Sequence, residues 1–191
     1  MSTSRSLTSK NLHQLRILIT SIVTMLIFGL LLWTYSHGGV PSHYILQRKD
    51  LPEISNWWGG LLLPILTWFL LGRIKKRLEK QPSETPARKS EIPKVIRLFL
   101  IGLAFSILVA VSFTYDYQPF LENVPLILFA ISMLIPIYYA EFILGFVLGM
   151  TYTFGAVIPT AFVVIVAIVG FLIFQFVRLL FQFGTKLLRK A

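Results

Sequence analysis

Apolar positions fall in long runs separated by short polar stretches. The runs are Ile17 to Tyr35, Trp57 to Leu71, Val95 to Tyr115, and an almost unbroken stretch from Val124 to Gln182. Runs near 20 residues match the length of a helix that crosses a bilayer. The last stretch is punctuated by Pro125, Pro136, Gly145, Gly149, Gly155 and Pro159 and carries one acid, Glu141. It divides into Val124 to Tyr139, Glu141 to Ile158 and Pro159 to about Arg178. The pattern predicts an all-α polytopic membrane bundle of about six helices, with five the alternative. The fourth and fifth segments are short and nearly loopless, so one of them could be broken, tilted or re-entrant where protein covers its backbone.

The polar punctuation divides a single membrane domain, residues 1–191. Met1 to Asn11 is Ser/Thr-rich and expected to fray within an N-terminal tail of residues 1–16. Ile17 to Tyr35 is too long for a signal-peptide apolar region and lacks a small-residue cleavage site, so it is expected to stay as the first span. With the second span it makes a helical hairpin, residues 17–72, around a turn-rich outer loop at 36–56. Trp57 and Trp58 suit an interfacial anchor, and Pro64 predicts a kink in the helix they open. Residues 73–94, with Pro82, Pro86 and Pro93, are expected to form a solvated basic loop. Helices fill 95–178. Residues 179–191, with Arg178 just before them, place Arg178, Gln182, Lys186 and Arg189 on one face and Leu179, Leu180, Phe183 and Leu187 on the other, an amphipathic tail suited to the membrane surface.

Charge settles the expected orientation. The chain has 18 Lys and Arg against 8 Asp and Glu among 191 residues, a net charge of +10. With six crossings and both termini cytoplasmic, 16 of the 18 basic residues lie inside and only Arg48 and Lys49 lie outside; with five, 12 lie inside. The positive-inside rule favours six. The same placement accounts for the charge without nucleic acid, and the expected location is the plasma (inner) membrane. There is no cysteine, which removes disulfides, thiolate metal sites and cysteine nucleophiles.

Glu141 is the chemical oddity. Glu141, Gly145, Gly149 and Thr153 recur every four residues and form one stripe on a helix. Gly102, Ser106, Ala110 and Thr114 form a second stripe on the third span. Small residues let helix backbones approach closely, so the two stripes are expected to pack together, with Ser106 and Thr114 within reach of the carboxyl. An ionisable group inside a membrane is costly and marks a candidate site for a proton or cation. Tyr138, Tyr139, Tyr152 and Thr153 are candidates for a hydrogen-bonded path beside it. The competing expectation is structural: Glu141 fixing helix register.

The outer loop offers a second constellation. His37, His43, Asp50 and Glu53 are imidazole and carboxylate groups of the kind that bind zinc and related metals, although their spacing matches no helical ligand pattern. Ser36 or Ser42 with those histidines, oriented by Asp50 or Asp116, could serve hydrolysis, but no catalytic motif places them. Three functions follow. The first is permeation or transport of an ion or small solute through Glu141. The second is a membrane-embedded enzyme using the outer loop on a lipid-type substrate. The third is a non-catalytic subunit whose small-residue stripes bind another membrane protein. Expected partners are the lipid bilayer and either further copies of this chain or a membrane-protein partner; no particular cofactor is implied.

Overall fold

The computed structural model describes residues 9–44, 50, 52–80 and 86–188. Helices α1 (Ser9–Ser36), α2 (Trp57–Glu79), α3 (Pro86–Thr114) and α7 (Val157–Leu188) contain apolar segments long enough to cross a membrane. Two apolar helices are shorter, α5 (Val124–Leu134) and α6 (Ala140–Phe154), and a single turn, α4 (Gln118–Leu121), precedes them. At 1.5 Å per residue, α5 and α6 are about 16 and 22 Å long, against about 30 Å of hydrocarbon. Large apolar side chains such as Met25, Leu26, Leu32, Ile65 and Ile165 face outward, as lipid-facing surface requires.

Local chemistry explains the break between the short helices. Pro136 has no amide donor and restricts the residue before it, and Ile135 is accordingly extended, with φ −124° and ψ 133°. The chain stays non-helical until Tyr139, and α6 starts at Ala140. Gly155, with φ +68°, ends α6 in a conformation that a side chain would strain, and α7 begins two residues later.

The most extensive interface joins α3 to α6. Gly145 lies on the backbone of Phe99 and Leu103, Gly149 on Leu103 and Ser106, and Phe154 meets Phe113. The order of these contacts makes α3 and α6 parallel. A Cβ on Gly145 would fall 2.2 Å from Phe99 O, and one on Gly102 would fall 2.4 Å from Phe142 O. Bare glycine is therefore required on both helices. Gly102, Gly145 and Gly149 all take part in this internal contact.

Two regions differ from the sequence-based picture. Residues 73–79 and 86–94, expected as a loop, extend α2 and α3, leaving only residues 80–85 between them. Lys, Arg, Leu and Glu are good helix formers, Lys75 pairs with Glu79 one turn on, and Pro86 occupies the first helical position, where proline is tolerated. The outer loop contains an antiparallel ribbon, β1 (Ser42–Tyr44) and β2 (Glu53–Ser55), pairing Ser42 with Ser55 and Tyr44 with Glu53. Helix α7 runs unbroken to Leu188, so the C-terminal tail continues the last span up to that residue. Arg48, Lys49 and Arg189 lie outside the described residues, as do the side chains of Leu180, Phe183, Lys186 and Leu187.

The hairpin of α1 and α2 has a polar clasp. Arg16 places its guanidinium 3.7 Å from the Trp68 ring centroid and donates from Nε to Trp68 O at 3.0 Å. His13 meets the same indole edge-on.

Candidate functional site

Glu141 stands in the first turn of α6 and is 1% exposed. Its Oε1 accepts a hydrogen bond from Arg77 Nη2 at 2.6 Å. Arg77 belongs to the last turn of α2. A carboxylate near a helix N-terminus and a guanidinium near a C-terminus each oppose the local helix dipole, so both helix ends favour this pair. The Arg77 guanidinium also lies 4.5 Å from the Tyr139 ring centroid, and its Nε faces Glu91 Oε2 at 3.9 Å. Glu91 pairs in turn with Lys94 at 2.7 Å. Two buried atoms of the cluster, Arg77 Nε and Glu141 Oε2, have no hydrogen-bond partner among the described residues.

These groups line a cavity of about 560 Å³. Its charged wall is Arg77, Glu91, Lys94, Arg97 and Glu141; its apolar wall includes Leu98, Ile101, Ile135 and Pro136. Arg97 is exposed and makes no ion pair with the described residues. The cavity formed because Pro136 interrupts the chain between α5 and α6, so no helix fills that corner.

A second cavity, of about 320 Å³, lies at the opposite end of α6. Thr34, Asn56, Thr114, Thr151, Tyr152 and Thr153 supply its polar lining. Between the cavities α6 is packed solid: Phe142, Phe146 and Val147 are at most 1% exposed. The Phe146 ring sits 6.4 Å from Phe105 and 5.9 Å from Phe162, between centroids.

Several expected associations are not formed. Ser106 donates to Leu103 O and Thr114 to Ala110 O, so neither reaches Glu141; the carboxyl instead bonds to Arg77 of α2. Tyr138 packs edge-on against Phe171 and Phe174, whereas Tyr152, 80% exposed, and Thr153 belong to the far cavity. Tyr152 and Thr153 are thus remote from Glu141, whereas Tyr138 meets Tyr139, whose ring lies on Arg77. Ala110 is buried on α3.

The outer-loop residues are dispersed. His37 stacks on Trp33 at 4.0 Å and contacts Trp33 O through Nδ1; the neighbouring Ser36 hydroxyl bonds to helix carbonyls. His43 faces Phe154, Ser42 donates to Glu53, and Asp50 lies in the turn. Among the described residues no three His, Asp or Glu side chains are grouped as a metal site, because the ribbon aims His43 at α6 while His37 remains on α1. Burial lowers the proton affinity of His43 below its ordinary value.

The cavity residues that sequence reasoning missed are Arg77, Glu91, Lys94 and Arg97. No local spacing marks them. The available signal was that a buried acid needs a cation and that the basic segment 73–97 holds nine of them. No protein family, curated protein or solved structure matches the chain.

Proposed function

We propose that the protein moves an ion or small solute across a membrane, with Glu141 carrying a proton as Arg77 leaves and returns. The observation that carries this reading is the ion pair of part-exposed Arg77 with buried Glu141 at a cavity beside two short helices. Discontinuous helices at ionisable sites are a recurrent transporter device. An anion entering the cavity would compete with Glu141 for Arg77. The freed carboxylate would then take up a proton, so charge and solute load together. The two cavities are vestibules on this reading, and the packed rings of Phe105, Phe146 and Phe162 close the passage between them. Six passes, the fourth and fifth made by α5 and α6, accord with the parallel course of α3 and α6 and with the basic residues around Arg77.

Proteoliposomes enclosing a pH-sensitive dye test the proposal under imposed proton, sodium, potassium and small-anion gradients. Flux above that of empty vesicles is expected, with loss on Glu141→Gln. Flux that Glu141→Gln leaves unchanged, or no flux under any gradient, defeats it.

A further inference from the structure

The cavity beside Arg77 continues into an apolar groove on α3. Both include Arg97 and Ile101; the groove adds Pro93, Ile96, Leu100 and Ala104. Ile96 and Leu100 are about half exposed, at 54% and 52%. A charged chamber thus opens along a helix face that the described residues leave uncovered.

Charge narrows what fits. The chamber holds three cations, Arg77, Lys94 and Arg97, against two carboxylates, Glu91 and Glu141, a surplus of one positive charge. Arg97 has no ion-pair partner among the described residues, and Arg77 Nε is a buried donor without an acceptor. Glu141 Oε2 is a buried acceptor without a donor. A complementary ligand brings one net negative charge, acceptor oxygens, a hydroxyl and an apolar tail. An isolated phosphate satisfies the cations but supplies no tail.

We propose that this chamber and groove bind a monoanionic phospholipid with a hydroxylated headgroup, of the phosphatidylglycerol type, from the leaflet bordering the basic end. Phosphate oxygens meet Arg97, Lys94 and Arg77; a headgroup hydroxyl donates to Glu141 Oε2; one acyl chain follows Pro93, Ile96, Leu100 and Ala104. Oε1 keeps its bond to Arg77, so the lipid completes the cluster without breaking it. The phosphate meets Arg77 at Nε, not at the Nη2 that a transported anion would have to take from Glu141, so the lipid site does not depend on a solute crossing the protein.

The test offers the purified full chain, in mild detergent, an equimolar mixture of phosphatidylglycerol, phosphatidylethanolamine and phosphatidylcholine with matched acyl chains. Native mass spectrometry counts the lipid retained. Phosphatidylglycerol should exceed each of the other two about 25-fold, and Arg97→Gln and Lys94→Gln should each reduce that preference about 5-fold, the ratio that about 1 kcal/mol per basic residue gives. Lys76→Gln, an exposed cation of α2 outside the chamber, should leave it unchanged. Equal retention of the three lipids overturns the proposal, as does an effect of Lys76→Gln matching that of Arg97→Gln, which signals diffuse surface charge. Displacement of the lipid by equimolar free glycerol phosphate also overturns it, because the chamber would then be taking the headgroup alone.

Discussion

Arg77 and Glu141 meet across 2.6 Å although 64 positions separate them, and they tie the end of α2 to the start of α6. Glu141 is almost wholly buried, whereas the Arg77 side chain keeps 28% of its exposure. The two are therefore unequal. Arginine can be partly solvated where it stands, but an unpaired Glu141 has apolar surroundings on every side except the cavity.

That inequality sets the first prediction. Arg77→Met should destabilise the protein by about 2 to 4 kcal/mol, a buried-pair figure reduced for the exposure of Arg77. Arg77→Met combined with Glu141→Met should lose less than Arg77→Met alone, because no stranded charge remains. Unfolding in mild detergent micelles, followed by tryptophan fluorescence, measures both. A double variant less stable than Arg77→Met would contradict this account of the pair.

Gly145 supports a second prediction, drawn from packing. A methyl group there meets the Phe99 carbonyl, which belongs to backbone and cannot swing aside. Gly145→Ala should cost about 1 to 3 kcal/mol, as overpacking does. Gly29, inside α1, has nothing within 4 Å of the corresponding position, and Gly29→Ala should be neutral or stabilise by up to about 1 kcal/mol through helix propensity. Thermal midpoints of the two variants should move in opposite directions or differ by several degrees. Equal shifts would mean that α3 and α6 are not in backbone contact.

The ribbon should respond to acid. Burial lowers the proton affinity of His43 relative to its ordinary value of 6.5, and its Nε2 has no partner among the described residues, so the folded ribbon favours the neutral ring. Stabilisation is then fully present above about 6.5 and is lost as pH falls through the lower folded-state value. Tyr44 and Glu53 are the other titratable groups in the paired strands; Glu53 accepts from Ser42. Amides of residues 42–44 and 53–55 should exchange hydrogen faster at about pH 5 than at about pH 7.5, after correction for intrinsic rates. His43→Phe should flatten the difference. Persistence of the full difference in that variant would mean that His43 is not its source.

Arg16 offers a test of the first hairpin. Arg16→Gln removes both the stacking on Trp68 and the bond to Trp68 O, and should cost about 1 to 2 kcal/mol. Arg16→Lys should recover only part, since an ammonium cannot lie flat on the indole while donating sideways. Full rescue by lysine would show that charge alone holds α1 to α2.

Much of the helical framework was legible in the residue pattern, since long apolar runs have few other solutions. The break at Pro136 was missed, because the fourth segment was expected to run through it to Tyr139, whereas the helix ends at Leu134. The four-residue recurrence of Gly102, Gly145 and Gly149 pointed to close helix approach. The continuation of α2 through Arg77 was hidden by its charge, which resembles a loop until Lys75 and Glu79 are seen one turn apart. The partner of Glu141 was hidden by distance along the chain. Periodicity places a side chain on a face but does not say which of nine cations between Arg73 and Arg97 will arrive opposite it. Ribbon β1–β2 was missed because three-residue strands are too short to show alternation.

The order of synthesis makes the Arg77 bond a late event. Ribosomes deliver α2 well before α6, and at ordinary elongation rates the intervening 64 residues take on the order of several seconds. During that wait the arginine can hold its head at the aqueous boundary on a flexible stem at little cost. The acid, whose stem is shorter, emerges when its counterion is already in position. Reversing the two residues would hand the waiting period to the side chain less able to bear it, and a nascent Arg77→Glu, Glu141→Arg chain should be cleared by quality control more often than its parent despite carrying the same pair.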